Sequence, residues 1–314
     1  MQLLDSSTNP MPPGGHAFPV TTADGVTLRA ASWPAVGERP RGTLLLLQGR
    51  AEFVEKYFET IAALRSRGYA VTTFDWRGQG GSDRALARRH IGHVRHFRDF
   101  RLDYEAVRAK LPAGRPAMVL AHSMGGAIAL AGAGEGWLDA ERLACVNPMV
   151  GLSLVRAEAF TRRLARVFRS VGLGQRMVPG GVVASISTLP YPGNLLSTDP
   201  GRYERNATLA RTLETGAIGS PSIGWLVAAY EAMDRLAAPG VAEAIDLPVL
   251  MAISERDPVC STPAMLRFAN ALPRARIVTM PVARHEILME TDATLARFWQ
   301  AFDAFVAGRD MAAA

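Results

Sequence analysis

The chain has 314 residues, of which 48% are hydrophobic and 20% charged, with a formal net charge of +6. This length and composition favour one α/β domain with an insertion over two independent domains. The sequence contains no 18-residue apolar span, and its first residues lack the basic start and apolar core of a signal peptide, so a cytoplasmic location is expected. Only two cysteines occur, Cys145 and Cys260, which argues against a disulfide framework and predicts two small buried side chains.

The first half of the chain predicts alternating strands and helices. Residues 1–16 are rich in Pro, Gly and Ser and are expected to form a loose arm, and Ala23-Asp24-Gly25 predicts a hairpin at a sheet edge. The elements that follow are predicted at Thr43–Leu47, Phe53–Arg67, Ala70–Asp75, Phe97–Leu111, Met118–Ala121, Gly125–Gly134 and Leu143–Asn147. This alternation indicates an α/β fold, with a mostly parallel sheet, helices on both faces and functional residues at the carboxyl ends of the strands.

The alternation stops after Pro148 and returns at Pro248. Between them the sequence shows helical segments and Gly/Pro-rich joints without a convincing strand. We therefore predict a core formed by residues 17–150 and 239–308, with residues 151–238 inserted as a helical cap.

One predicted cap helix, Glu158 to Val171, is both amphipathic and basic. Its apolar positions are Phe160, Leu164, Val167, Phe168 and Val171, and its arginines are Arg162, Arg163, Arg166 and Arg169. The arginines could dock on an anionic membrane or lipid. Alternatively, the helix is a lid whose apolar stripe packs on the core and whose arginines are solvated. The basic residues of the whole chain are dispersed and accompany no reader motif, so nucleic acid is not an expected partner.

The candidate nucleophile is Ser123. It follows the apolar run Met118–Ala121 and precedes Gly125 and Gly126, and small residues on both sides permit a turn tight enough to lift the hydroxyl clear of the sheet. The usual pattern is G-x-S-x-G, and Ala121 stands here in the first position.

A serine nucleophile requires a base and an orienting carboxylate. Asp257 follows the strand-like run Pro248–Ile253, and His285 follows the run Ala275–Met280. The order Ser, Asp, His, with each residue after a strand, is that of an α/β-hydrolase. His122 adjoins the nucleophile, but neighbouring side chains diverge at such a turn, so we expect it to pack against the sheet.

Histidines elsewhere do not indicate a metal site. His90, His93 and His96 are spaced by three residues, which on a helix drift around the axis, and no cysteine or paired carboxylate completes a ligand set. Neither a metal nor an organic cofactor is expected.

Further motifs carry a family resemblance. They are Gln48–Phe53, Lys56-Tyr57, Asp75–Asp83, Asn147–Met149, Leu196–Asp199, Arg202-Tyr203, Gly224-Trp225, Asp257–Val259 and Arg284–Glu286. On these motifs the chain, from about Thr21 to Val306, resembles the serine hydrolases that include lysophospholipase L2 and monoacylglycerol lipases. The resemblance implies lysophospholipids or monoacylglycerols as substrates.

A tetrahedral intermediate also needs amide donors for its oxyanion. One should be the amide after the nucleophile, at Met124, and the resemblance assigns the second to the Arg50 amide. Many relatives carry His-Gly where this chain has Gln48-Gly49. A backbone donor survives that change, and the role of the Gln48 side chain stays open.

The sequence therefore predicts an enzyme that cleaves carboxylic esters through an acyl-enzyme. A small-ester esterase or a peptidase of the same fold is an alternative, as is a non-catalytic ligand-binding member. An epoxide hydrolase would carry an aspartate at the turn. The expected partners are a small-molecule or lipid ester and, if the basic cap helix docks, the anionic inner face of a membrane; the oligomeric state is left open.

Overall fold

The centre of the molecule is an eight-stranded sheet with helices on both faces. A computed structural model describes residues 1–38, 40–112, 114, 116–155, 157–213 and 216–308. The strands are β1 (His16–Thr21), β2 (Thr27–Trp33), β3 (Gly42–Leu47), β4 (Tyr69–Phe74), β5 (Met118–His122), β6 (Leu143–Val146), β7 (Val249–Ser254) and β8 (Ala275–Met280). Their order in the sheet is β1-β2-β4-β3-β5-β6-β7-β8. Strand β2 is antiparallel to both of its neighbours, β1 and β4, and all the other neighbouring strands are parallel. The predicted α/β class and edge hairpin are confirmed.

The helices are α1 (Phe58–Ser66), α2 (Asp99–Arg108), α3 (Met124–Gly134), α4 (Glu158–Ser170), α5 (Pro200–Thr212), α6 (Ile223–Leu236), α7 (Thr262–Ala271) and α8 (Asp292–Val306). Apolar residues of α2, α3, α6 and α7 pack on one face of the sheet, and those of α1 and α8 pack on the other. Alternate residues of β3 serve the two faces: Leu45 and Leu47 belong to the first core, Leu44 and Leu46 to the second. None of the helices in the described ranges combines the length and apolarity needed to cross a membrane.

The chain between β6 and β7 forms α4, α5, α6 and two short 3₁₀ turns, and its described residues contain no strand. Helix α6 connects this insertion to the core, because Trp225, Ala228 and Tyr230 are buried with residues of α3. The backbone of the insertion also reaches the loop after β8, where the Glu286 amide donates to the Leu196 carbonyl at 2.8 Å.

The N-terminal segment differs from the loose arm expected from its composition. The Asn9 side chain is buried and donates to the Glu55 carbonyl at 2.9 Å. The Pro12 carbonyl accepts from the Trp33 indole at 2.9 Å. Leu3 and Met11 pack against the second core. The segment docks because it supplies polar partners that buried groups of the core otherwise lack.

Candidate active site

Ser123 lies at a strained turn between β5 and α3. Its backbone has φ of 50° and ψ of −114°, a region that non-glycine residues seldom occupy. The turn is held because the Ser123 amide donates to the Val146 carbonyl and the Ser123 carbonyl accepts from the Met149 amide. A side chain at Gly125 would stand 2.5 Å from the Gln48 carbonyl oxygen, so only glycine permits α3 to begin this close to the loop after β3.

The structure brings together the three side chains that the sequence nominates. His285 Nε2 lies 2.9 Å from Ser123 Oγ, and His285 Nδ1 lies 2.8 Å from Asp257 Oδ2. All three residues are buried. A carboxylate can only accept, so Nδ1 carries the proton and Nε2 is left as the acceptor for the serine hydroxyl.

Asp257 is held in its ionised form. Its Oδ1 accepts from the amides of Val259 and Cys260 at 2.7 and 3.0 Å. Burial opposes the charge, but His285 and these amides outweigh it and lower the pKa of Asp257 below its usual value. The carboxylate therefore remains available to orient and stabilise the imidazole.

The His285 backbone is fixed as firmly as its ring. The His285 carbonyl accepts from Asn147 Nδ2 at 2.8 Å and contacts His122 Nε2 at 3.2 Å. The Asn147 carboxamide also accepts from the Ser254 amide at 2.7 Å, which links the ends of β6 and β7 to the histidine loop. The sequence identified Asn147 only as part of a family motif. Its contact with the His285 carbonyl could not be predicted, because it depends on which strands are neighbours in the sheet.

The amides nominated for the oxyanion lie on neighbouring segments. Met124 opens α3, and Arg50 lies in the loop after β3, whose Gln48 carbonyl approaches Gly125. Within the described chain neither amide has an intramolecular acceptor. Both amides therefore have unpaired N–H groups within the described chain, and their role as oxyanion donors stays a prediction.

A buried charge cluster, consisting of Glu52, Lys56, Tyr57, His122 and Glu286, lies beneath this site. Lys56 Nζ is 2.7 Å from Glu52 Oε1 and 2.6 Å from Glu286 Oε1. Tyr57 donates to Glu52 Oε2 at 2.6 Å, and His122 Nδ1 lies 3.2 Å from the same oxygen. Burial opposes every charge, but Lys56 and His122 hold the pKa of Glu52 well below its usual value.

His122 has a larger role than packing against the sheet. Its ring lies 4.9 Å from the His285 ring and its nitrogens reach Glu52 and the His285 carbonyl. Gln48 is also buried; its amide donates weakly to Thr73 Oγ1 at 3.3 Å, while its Oε1 has no partner among the described residues. The Gln48 backbone carbonyl accepts from the Trp76 indole at 2.9 Å. This hydrogen bond fixes the loop after β3.

Lys56→Met should lower the free energy of unfolding by about 3–5 kcal/mol, because it leaves the carboxylates of Glu52 and Glu286 buried without their cation. Chemical denaturation measures the change. The matched control is Lys110→Met at the only other lysine of the chain, which is exposed, and we expect a change within about 0.5 kcal/mol. Equal stability of the Lys56 and Lys110 variants would contradict a structural role for the cluster.

The serine opens onto a cavity of about 540 Å³ between the core and the insertion. Most of its lining is apolar and includes Leu152, Val155, Val178, Leu226 and Val259. Arg50, Glu52 and Glu286 contribute the charged part of the lining. A cavity with both apolar and charged lining suits a substrate with an acyl chain and a polar alcohol portion.

Potential metal ligands converge in one place among the described residues, at Asp257, Cys260 and His285, whose ligand atoms lie within 4.8 Å of one another. Two of these three residues already bond to each other in the serine–histidine–aspartate arrangement. Of the histidines considered above, His93 is engaged elsewhere, because its Nδ1 lies 2.7 Å from Ser222 Oγ.

The cap helix α4 fits neither of the two interpretations in full. Three of its four arginines pair with acids rather than being free for lipid: Arg162 with Glu158 and Asp234, Arg166 with Asp234, and Arg169 with Glu231. The fourth, Arg163, is exposed. The apolar stripe of α4 packs only in part. Phe160, Val167 and Val171 are 67%, 50% and 64% exposed, whereas Ala165 and Phe168 pack against Ile223 and Val227 and anchor the helix.

A sequence profile described as serine aminopeptidase, S33, matches residues 38–292. The chain is 30% identical over 264 residues to lysophospholipase L2 of Escherichia coli strain K12, an alignment that covers 80% of this chain and 76% of that protein. It is 27% identical over 255 residues to a probable lysophospholipase L2 of Haemophilus influenzae, covering 80% of this chain and 79% of the relative.

Solved structures of monoglyceride lipases share the fold. A soluble variant of the Saccharomyces cerevisiae enzyme superimposes with a TM-score of 0.74 at 19% identity, covering 96% of this chain and 98% of the other. The monoacylglycerol lipase of Paleococcus ferrophilus gives a TM-score of 0.69 at 22% identity, with coverages of 89% and 98%. At these identities the likeness concerns the architecture alone.

Proposed function

Because the chain belongs to the serine aminopeptidase S33 family of α/β-hydrolases, we propose that its reaction is the hydrolysis of single-chain lipid esters, either lysophospholipids or monoacylglycerols. The chain is a carboxylic ester hydrolase. The observation that carries the proposal is the pair of contacts that joins Ser123 to His285 and His285 to Asp257, at 2.9 and 2.8 Å, beside an apolar cavity.

The chemistry follows from these contacts. His285 Nε2 removes the proton of Ser123 as its oxygen attacks the ester carbonyl, and Asp257 stabilises the imidazolium that forms. The amides of Met124 and Arg50 receive the oxyanion of the tetrahedral intermediate. His285 then protonates the departing alcohol, and a water molecule repeats the cycle on the acyl-enzyme. These steps need no metal and no organic cofactor.

Lipid esters are favoured over the alternatives by specific features. A small-ester esterase would not require a cavity of about 540 Å³ with an apolar lining that includes Leu152, Val178 and Leu226. Relatives that align with 80% of the chain carry the names lysophospholipase L2 and probable lysophospholipase L2. A non-catalytic binding protein would have no need for a bonded serine, histidine and aspartate in a buried arrangement.

Fluorophosphonate labelling combined with a panel of esters tests the proposal. We expect the wild-type protein to be labelled at Ser123 and to hydrolyse lysophospholipids or monoacylglycerols with higher kcat/KM than acetate esters or peptide amides. Absence of labelling would refute the acyl-enzyme, and a preference for amides would move the chain to the peptidases.

Contact with a membrane is part of the same proposal, through an apolar rather than a basic surface. Phe160, Val167 and Val171 lie on one side of α4, and all are exposed. Leu154, which lines the cavity, is also 51% exposed. An exposed apolar face beside a lipid-sized cavity suits insertion into the headgroup region of a bilayer. A cytoplasmic protein would meet the inner face of the membrane in this way.

Phe160→Glu with Val167→Glu should lower hydrolysis of long-chain monoacylglycerol in vesicles by about 10-fold or more, because the two side chains no longer bury apolar area in lipid. Hydrolysis of a soluble short-chain ester, measured with the same preparations, should change by less than about 2-fold because that substrate needs no docking.

Val36→Glu is the matched control, since Val36 and Val167 are both 50% exposed but Val36 lies in the loop between β2 and β3. We expect it to leave both rates unchanged. Equal losses on vesicles and on the soluble ester in the α4 variant would mean that this face supports the cap structure and does not dock.

A further inference from the structure

Arg50 places a cation in the wall of the active-site cavity without a carboxylate partner in the described chain. Its Nη2 donates to the Gly219 carbonyl, and its guanidinium lies 5.1 Å from the centre of the Trp225 ring. Its Nε is buried and has no acceptor. An arginine carries five N–H donors, so most of its hydrogen-bonding capacity is unused.

Two other enclosed arginines of the chain are neutralised by acids, whereas the buried Arg65 lies outside the cavity and donates to the Pro34 carbonyl. Arg29 pairs with Glu55 and Asp75, and Arg77 pairs with Asp24 and Asp103. Burial alone acts on Arg50 and lowers its pKa to about 10, so it still carries its charge at neutral pH. Burying a cation whose N–H donors are unpaired costs free energy unless an anion neutralises it.

The nearby acids do not serve as that anion. Glu52 and Glu286 line the same cavity, but both are bound to Lys56 at 2.7 and 2.6 Å. Trp225 and the Gly219 carbonyl hold the guanidinium in place without neutralising it. The Arg50 guanidinium is therefore held in one orientation, and its positive charge is not neutralised.

The reach of this side chain matches a phosphate on the alcohol side of the ester. The guanidinium carbon is five bonds from the Arg50 Cα, and the phosphorus of a lysophospholipid is five bonds from the ester alkoxyl oxygen, so either span extends about 6 Å. With the Arg50 amide at the oxyanion, its guanidinium can lie beside the phosphate of the same substrate. A guanidinium fork also matches phosphate oxygens, whereas a monoacylglycerol offers only hydroxyl groups there.

We propose that the Arg50 guanidinium binds the phosphate of the substrate headgroup, which makes this chain selective for lysophospholipids over neutral monoacylglycerols. The proposal rests on the ester hydrolysis proposed above and adds the chemical identity of the headgroup. The ligand chemistry is a phosphate ester anion held in the cavity.

Selectivity is tested with short-chain lysophosphatidylcholine and the monoacylglycerol of the same acyl chain, both below their micellar concentrations so that docking on lipid plays no part. The measured quantity is the ratio of their kcat/KM values. Arg50→Gln should lower this ratio by about 10- to 100-fold, the range for loss of a charged hydrogen-bonded contact. Disturbance of the Arg50 amide affects both substrates and cancels in the ratio.

Two further variants sharpen the test. Arg50→Lys keeps the charge but not the fork and should retain part of the ratio. Arg163→Gln removes an exposed arginine of α4 that does not line the cavity, and it should leave the ratio unchanged. A ratio equal to that of wild type in a folded Arg50→Gln protein would overturn the proposal.

A binding measurement does not depend on turnover. Calorimetry on the Ser123→Ala protein should show glycerophosphocholine binding that is lost in Ser123→Ala with Arg50→Gln. Inorganic phosphate that binds as tightly, together with an unchanged substrate ratio, would overturn the headgroup assignment in favour of a free-phosphate site. If wild-type protein hydrolyses neither lipid and is not labelled by fluorophosphonate, the proposed function fails; if it hydrolyses both with an Arg50-independent ratio, only the headgroup assignment fails.

Discussion

Ser123→Ala should abolish ester hydrolysis and fluorophosphonate labelling, with a loss in kcat of about 10⁶. The hydroxyl is the only nucleophilic oxygen within hydrogen-bonding distance of His285 Nε2 in the described chain, at 2.9 Å. A residual rate of about 10³–10⁴ over water should remain if the Met124 and Arg50 amides bind the oxyanion. The melting temperature should stay near that of wild type, because alanine fits the same strained backbone.

Ser187→Ala is the matched control for this variant. Ser187 is buried and lines the same cavity, but it has no bond to His285. Its loss should leave labelling intact. Turnover that survives in Ser123→Ala, or labelling that moves to another cavity serine, would remove Ser123 from the mechanism.

The core of the site could be read from sequence because its signals are local. The elbow at Ser123 is a five-residue pattern, and Asp257 and His285 each follow an apolar run that becomes β7 or β8. Strand order did not have to be known, since parallel strands present their carboxyl ends at the same edge of a sheet. Ala121 in place of glycine is accommodated, as it is buried in β5 beside Leu47 and Cys145.

The buried charge cluster could not be assembled in the same way. Lys56 and Glu286 are 230 positions apart, and nothing in either local sequence states that they bond. Glu52 and Lys56 at i and i+4 spacing gave a partial signal, which is equally typical of an exposed helix face. Burial decides between the two, and burial depends on the whole fold.

The faces of α4 illustrate a second limit. Helical periodicity correctly indicates an apolar side and a basic side, but not which of them meets the protein. The small side chain of Ala165 allows α4 to approach Ile223 and Val227 of α6, and the acids Glu231 and Asp234 of α6 then attract the arginines. The acids lie 62 and 72 positions from Arg169 and Arg162, so the orientation is a tertiary property.

His285→Ala should reduce kcat nearly as far as Ser123→Ala, by about 10⁵–10⁶, because the two side chains act as one unit. His122→Gln should retain most of the activity and lower the free energy of unfolding by about 1–3 kcal/mol, since it loses charged contacts to Glu52 and the His285 carbonyl. Kinetics with a soluble ester and chemical denaturation on both variants distinguish the catalytic base, His285, from the residue that stabilises the site, His122.

The stability lost in His122→Gln should depend on pH in one direction. Burial opposes the imidazolium, but Glu52 outweighs it and raises the pKa of His122 above 6.5. A raised pKa means that the folded state binds the proton more tightly, so this stabilisation is complete below pH 6.5 and is lost as pH rises through the folded-state pKa. The difference in unfolding free energy between wild type and His122→Gln should therefore be largest in acid. A His122→Gln protein that folds with unchanged stability yet loses all activity would instead transfer the catalytic base, wholly or in part, to His122.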